Sequence, residues 1–200
     1  DTLVHRGPDS AGLWSSPNGH ACLGHRRLSV VDLSQEANQP FAAGGLVLVL
    51  NGEIYNFRAL RRELEDLGAT FRTSSDTEVL LEAYRAWGTD CLERLSGMFA
   101  FALWDEERSR LFCARDRAGE KPFYYSVSGG AFAFGSEAKA LVAWPGFRGR
   151  LDWTAIADFL TLGFVPGPKS VWDGVCKLPP GHRLTVDRVG GGRLVSESAG

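Results

Sequence analysis

The sequence predicts an α+β domain in which helices cover antiparallel sheet, either as a helix–sheet–sheet–helix stack or as a simpler two-layer arrangement. Three observations predict it: a continuous apolar run, two amphipathic helical segments that follow it, and then a series of short aromatic-rich segments separated by short turns. Segments joined this closely pair antiparallel, because a parallel pair needs a crossover of roughly a dozen residues or more.

Leu46–Leu50 (LVLVL) runs into Asn51-Gly52, which reads as a buried strand meeting a turn. Phe57–Leu67 sets Phe57, Leu60, Leu64 and Leu67 on one face and Arg58, Arg61, Arg62 and Glu65 on the other, with Gly68 as the stop. Ser75 or Asp76 caps a second helix whose inner face is Val79, Leu80, Ala83, Tyr84 and Trp87, closed by Gly88. Strands are expected at Met98–Trp104, Arg110–Ala114, Phe123–Val127 and Ala131–Phe134, with DEERS and SVSGG as turns. Ser136–Ala143 reads as a short helix and Asp152–Leu162 as another. Pro166, Pro168, Pro179 and Pro180 then dominate before a strand at His182–Asp187 and a flexible tail, VGGGRLVSESAG. The organisation expected is a main domain over 1–150, a helix, Pro-rich segment and final strand over 151–187, and a linker over 188–200.

Composition narrows the function. Of 200 residues 44% are apolar and 23% charged, enough for a sizeable core, and a net charge of −2 attracts neither phosphate backbones nor anionic lipid over distance. Lys and Arg are scattered, no apolar stretch approaches the roughly 20 residues needed to span a bilayer, and no export signal stands at the start. Nucleic acid and membrane are therefore not the expected partners. Cys22, Cys91, Cys113 and Cys176 lie far apart without metal spacing and next to apolar residues, so they read as reduced, buried thiols of a cytoplasmic protein.

Four short segments carry possible chemistry. HRGPDSAG (His5–Gly12) reads as a turn, its backbone fixed by Arg6-Gly7-Pro8, with Asp9 able to satisfy nearby N–H groups. Arg27, in HRRLSVVD, is either one surface charge among several or a planar fork able to grip an α-carboxylate with two parallel hydrogen bonds. LNGEIYN (Leu50–Asn56) contains either a plain Asn-Gly turn or an oxyanion hole, the Asn51 amide and the Gly52 N–H aimed at one spot, with Glu53 ready to receive an ammonium. In SSDTE (Ser74–Glu78), Asp76 either caps the helix or binds an α-amino group. Taken together, one guanidinium, an amide with a glycine N–H, and two acids suffice to hold a zwitterionic amino acid by both ends.

In that order HRGPDSAG, HRRLSVVDLS, LNGEIYN, SSDTEVLL, GMFAFALWD, RDRAGEKPFYY and FGSEAKAL resemble the glutaminase domain of glutamine-hydrolysing asparagine synthetase, a class II glutamine amidotransferase of the N-terminal-nucleophile type. The resemblance runs from His5 through KLPPGH at Lys177–His182. It implies a four-layer αββα sandwich of two antiparallel sheets, truncated at its N-terminus. It further implies that Arg27, Leu28 and Val30 bind glutamine, with Arg27 on the α-carboxylate; that Asn51 and Gly52 form the oxyanion hole; and that Glu53, Asp76 and the backbone near Ser75 hold the α-amino group.

The family's nucleophile is a cysteine at the extreme N-terminus whose own α-amine is the base. Residue 1 here is Asp1, and an internal cysteine has no α-amine. The expectation is therefore a chain lacking its first residues, able to bind L-glutamine but not to hydrolyse it. The alternatives are a scaffold domain without glutaminase activity, as in β-lactam synthetase-like proteins, and an amidotransferase feeding another acceptor. No cofactor or metal is expected in this domain; ATP and magnesium belong to the C-terminal synthetase domain expected in the same parent chain.

Overall fold

A computed structural model describes residues 2–28, 36, 38–187 and, as backbone, 193–198. Eleven strands and five α-helices are described. In order they are β1 (Ser10–Ser15), β2 (Cys22–Arg27), β3 (Phe41–Ala43), β4 (Leu46–Ile54), α1 (Phe57–Asp66), α2 (Asp76–Trp87), α3 (Cys91–Arg94), β5 (Gly97–Asp105) and β6 (Arg110–Arg115). There follow β7 (Tyr124–Ser128), β8 (Ala131–Gly135), α4 (Ala138–Val142), α5 (Trp153–Leu162), β9 (Val175–Lys177), β10 (His182–Asp187) and β11 (Arg193–Ser198).

The central layer is a six-stranded antiparallel sheet in the order β11-β10-β6-β5-β4-β3. Both faces of β4 and β5 are covered, which is why LVLVL and MFAFALW are apolar without interruption. On one face Leu48, Leu50, Ile54, Phe101, Leu103 and Phe112 pack against Leu60, Leu64, Val79, Leu80 and Tyr84 of α1 and α2. On the other, Val47, Val49, Ala100, Ala102 and Trp104 meet Leu23 of β2 together with Phe123, Leu178, Phe132 and Phe134. That second sheet layer is made in two parts, the hairpin β1-β2 and the three strands β8-β7-β9. α4 packs on β7 and β8 as the outer helix layer. The stack is helix, sheet, sheet, helix.

The first two predicted helices form as α1 and α2, and each stops at a glycine that adopts positive φ, Gly68 at 93° and Gly88 at 58°. Leu67, expected on the inner face of the first, is instead exposed, because the helix ends at Asp66 and Leu67 is the capping residue beyond it. Ser75 rather than Asp76 caps α2, its Oγ accepting from the Thr77 N–H at 3.0 Å.

Other differences have physical reasons. Asn51-Gly52 is no turn: β5 runs alongside β4 from Leu46↔Asp105 to Ile54↔Gly97 and carries the ladder through both residues. The stretch read as a flexible tail contains β11, which pairs with the outer edge of β10 and satisfies its backbone groups. Cys91 and Cys113 are buried as expected, but Cys22 is exposed and Cys176 half-buried, since both lie on small outer strands. Trp172 is half-buried, its ring edge-on to Phe147 with centroids 5.8 Å apart. The exposed large apolar side chains of that region are Trp153, Phe159, Leu160 and Leu162 on α5, with Leu151 just before it and Phe164 just beyond.

Candidate functional site

A cleft of about 730 Å³ opens between the central sheet and the second layer. Its apolar wall is built from Val49, Ala100, Ala102, Phe123, Phe134 and Leu141. The space exists partly because β5 presents alanine, not a larger residue, at Ala100 and Ala102 on this face, Ala100 directly opposite Asn51.

Strand alternation decides what faces it. Val47 and Val49 point away from α1 and α2, so the same phase turns Asn51 and Glu53 to the cleft side while Leu50 and Ile54 stay in the helix-side core. Asn51 Nδ2 is sealed from water and has no hydrogen-bond partner among the described residues. An orphaned buried donor costs about 1–3 kcal/mol and calls for an explanation. Gly52 stands beside it at φ 143°, where a side chain is strained, and an added Cβ would sit 2.0 Å from the Met98 carbonyl oxygen. Only glycine fits there.

Arg27 ends β2 and is buried, 8% exposed. Its Nη1 donates to Asn38 Oδ1 at 2.6 Å, and Ser10 Oγ also donates to that oxygen, at 3.3 Å. The surface-charge reading of Arg27 therefore fails. Leu28, next in sequence, lines the cleft with an exposed side chain.

From the helix layer, the start of α2 brings Ser75, Asp76 and Thr77 to the cleft. Asp76 Oδ2 accepts from the Ile54 N–H at 2.9 Å, so this carboxylate ties the end of β4 to α2. Burial pushes the Asp76 carboxyl above the ordinary aspartate value, and the Glu53 charge pushes the same way against the lowering by its backbone hydrogen bonds. Two neighbouring acids, one of them buried, are stabilised by a cation between them.

Arg27, Leu28, Asn51, Gly52, Glu53, Ser75 and Asp76 all line this one cleft. Val30 lies outside the described residues. Sequence reading missed three supports. Asn38 orients Arg27. Glu78, 2% exposed, accepts from the N–H groups of Arg72 and Thr73 and from Thr73 Oγ1, and so fixes the loop before α2; its Ser-x-x-Glu spacing from Ser75 was the available signal. Asp116 accepts from the N–H groups of Phe99, Glu120 and Lys121, which folds the RDRAGEKP loop back on β5 opposite Gly52.

The HRGPDSAG segment is a turn only in part: Ser10, Ala11 and Gly12 already belong to β1, and Arg6 lines the cleft. His5 and Arg6 reach Glu137 Oε1 at 2.8 and 3.1 Å, and Lys139 reaches its other oxygen at 2.9 Å, so the segment is tied to the approach to α4. Lys139, with His5 and Arg6, holds the Glu137 carboxyl down to about 2. Among the described residues no group of three or more His, Cys, Asp and Glu is arranged to hold a metal, and no helix is long and apolar enough to cross a membrane.

An αββα stack with an amide, a glycine and paired acids at one cleft defines an amidotransferase-type domain. Residues 1–193 match the family described as "Glutamine amidotransferase domain", and the chain belongs to that family. It is 43% identical over 195 residues to asparagine synthetase [glutamine-hydrolyzing] 3 of Bacillus subtilis, covering 95% of this chain and 31% of that protein. It is also 44% identical over 142 residues to asparagine synthetase B [glutamine-hydrolyzing] of Escherichia coli, covering 70% and 25%. Among solved structures, glutamine phosphoribosylpyrophosphate amidotransferase of B. subtilis superposes with a TM-score of 0.61 at 26% identity, covering 88% of this chain and 34% of that one. The chain thus spans under a third of the length of these two synthetases.

Proposed function

We propose that the cleft binds L-glutamine and that, in the parent enzyme, its side-chain amide is hydrolysed there to glutamate and ammonia. The ammonia passes to an ATP-dependent synthetase domain of the same parent chain, which makes asparagine in the cytoplasm; ATP and magnesium act in that domain and not in this one. The observation that carries the reading is the buried, unpartnered Asn51 Nδ2 next to a glycine that admits no side chain. Those two groups are what a developing oxyanion needs, donors fixed in advance, with Asn51 Nδ2 itself sealed from water.

The chemistry divides among the residues. Arg27 takes the α-carboxylate in a forked pair of hydrogen bonds. Asp76 and Glu53 take the α-ammonium, which relieves the repulsion between them. When a thiolate attacks the side-chain carbonyl carbon, the carbonyl electron pair moves to oxygen, and Asn51 Nδ2 and the Gly52 N–H donate to that oxyanion. The proton that the parent cysteine's α-amine has taken from the thiol passes to the departing nitrogen, so collapse expels ammonia and leaves a thioester, which water hydrolyses to glutamate and the free thiol.

Calorimetric titration of L-glutamine into the chain tests the binding half. Arg27→Met keeps most of the buried volume and loses the fork, so affinity falls roughly 10- to 100-fold, the range for lost charge-assisted bonds. Affinity unchanged by that substitution contradicts the assignment of the α-carboxylate to Arg27.

A further inference from the structure

β3 pairs with β4 only as far as Phe41↔Leu48. The next groups on that edge, the N–H and C=O of Leu50, therefore have no strand to meet, and Leu50 immediately precedes Asn51. Two side chains from elsewhere take them. Gln39 Oε1 accepts from the Leu50 N–H at 2.6 Å, and His25 Nε2 lies 3.1 Å from the Leu50 carbonyl oxygen. Gln39 Nε2 also donates to Thr77 Oγ1, 3.4 Å away in the first turn of α2.

Both side chains are fixed in role. Between an imidazole and a carbonyl oxygen only the ring N–H can donate, so the imidazole proton sits on Nε2, and Nδ1 is buried without a partner among the described residues. Burial, with the Arg27 charge, holds His25 down at about 4, so the ring stays neutral at pH 7. The Gln39 backbone is laid close against β1: a Cβ on Gly12 would stand 2.0 Å from the Gln39 carbonyl oxygen. That gives the last residue of HRGPDSAG a reason to be glycine. At the far end of the segment, Asp76 holds the Ile54 N–H. Asn51, Gly52 and Glu53 are therefore bracketed by side-chain bonds.

We propose that Gln39 and His25 are positioning residues of the amide-hydrolysing site, standing in for the missing strand at Leu50 and so aiming Asn51 Nδ2 and the Gly52 N–H. The ligand side of this inference rests on the glutamine reading above. Both residues also line the cleft, but the bonds that fix them run to the Leu50 backbone, so the role assigned to each is exerted through β4.

The test compares the 200-residue chain with Gln39→Met, which removes both of its bonds, Gln39→Glu, which keeps an acceptor for the Leu50 N–H, and His25→Phe. Amide hydrogen exchange is read at Leu50 and, as a control, at Leu48. Affinity is read for L-glutamine and for L-norvaline, which keeps the zwitterion and carbon chain but has no side-chain carbonyl. In Gln39→Met, Leu50 exchange speeds up by about tenfold with Leu48 unchanged, and L-glutamine weakens by roughly fivefold while L-norvaline stays within about twofold, the scale of one hydrogen bond. Gln39→Glu restores Leu50 protection, and His25→Phe weakens L-glutamine in preference to L-norvaline. Unaltered Leu50 exchange in Gln39→Met overturns the inference, and so does equal weakening of both ligands, which marks a merely structural role. A wild-type chain that binds neither ligand is a failure of the glutamine reading itself, recognised before any substitution is made, and it takes this inference with it.

Discussion

Gly52→Ala abolishes measurable L-glutamine binding and lowers the stability of the chain by about 3 kcal/mol or more. Two costs add. The backbone at φ 143° is one that a side chain strains to adopt, at about 1–3 kcal/mol. The new methyl would also stand 2.0 Å from the Met98 carbonyl oxygen and 2.7 Å from Phe99 Cα, both backbone atoms of β5. β5 is held there by Asp116, whose N–H donates to the Phe99 carbonyl oxygen at 2.8 Å and whose Oδ2 accepts from the Phe99 N–H at 3.3 Å, and by β6 from Ala100 onward, so it does not move away cheaply. Overpacking of this kind costs about 1–3 kcal/mol again. Whatever β4 does to relieve the clash turns the residue-52 N–H and the Asn51 amide away from the cleft. Chemical denaturation with calorimetric titration reads both effects. A Gly52→Ala chain of wild-type stability that binds glutamine normally would show that the close approach to β5 is not a constraint on the site.

Asp76→Ala comes second in size, and it separates from Asp76→Asn. Alanine leaves the Ile54 N–H without its acceptor in a buried setting, so stability falls by about 2 kcal/mol, and the ammonium loses its buried anion. Asparagine still accepts from Ile54 through its amide oxygen, so it keeps most of the stability and loses only the charge. Both variants weaken L-glutamine by roughly 30-fold, within the range for a lost charge-assisted bond. The acid dependence follows from the raised pKa. In the free chain, a carboxyl raised above its unfolded value contributes stability present below that value and lost as pH rises through the folded one. A bound ammonium favours the ionised form, so glutamine binding releases a proton in that window. L-glutamine affinity therefore declines on acidification from a higher pH than an ordinary aspartate near 3.9 allows, and the decline is absent in Asp76→Asn. Affinity that is flat with pH in the wild type, or the same decline in Asp76→Asn, removes Asp76 from the ammonium site.

Much of this was legible in the sequence, for identifiable reasons. α1, α2 and α5 carry apolar residues at helical spacing between capping residues and closing glycines, and the β4 and β5 runs are apolar because both faces are covered. Arg27, Asn51, Gly52, Glu53 and Asp76 stood out because each has a special donor, acceptor or backbone property. The supports did not stand out. Asn38 and Gln39 are short polar residues in a stretch without periodicity, and their roles exist only through contacts with Arg27 and Leu50. β1 and β2 were missed because their burial alternates weakly, with few large apolar side chains to mark it. The Asn-Gly pair was read as a turn because local preference outweighed the long-range pairing with Ala100 and Phe99, which no local rule contains. β11 was lost to the glycines before it.

The most direct measurement is an experimental structure of the chain soaked or co-crystallised with L-glutamine. The account predicts one molecule in the cleft, its α-carboxylate on the Arg27 guanidinium, its ammonium within hydrogen-bond distance of Asp76 or Glu53, and its side-chain oxygen facing Asn51 Nδ2 and the Gly52 N–H. A ligand bound outside the cleft, or inside it with the side-chain amide at Arg27, contradicts the account.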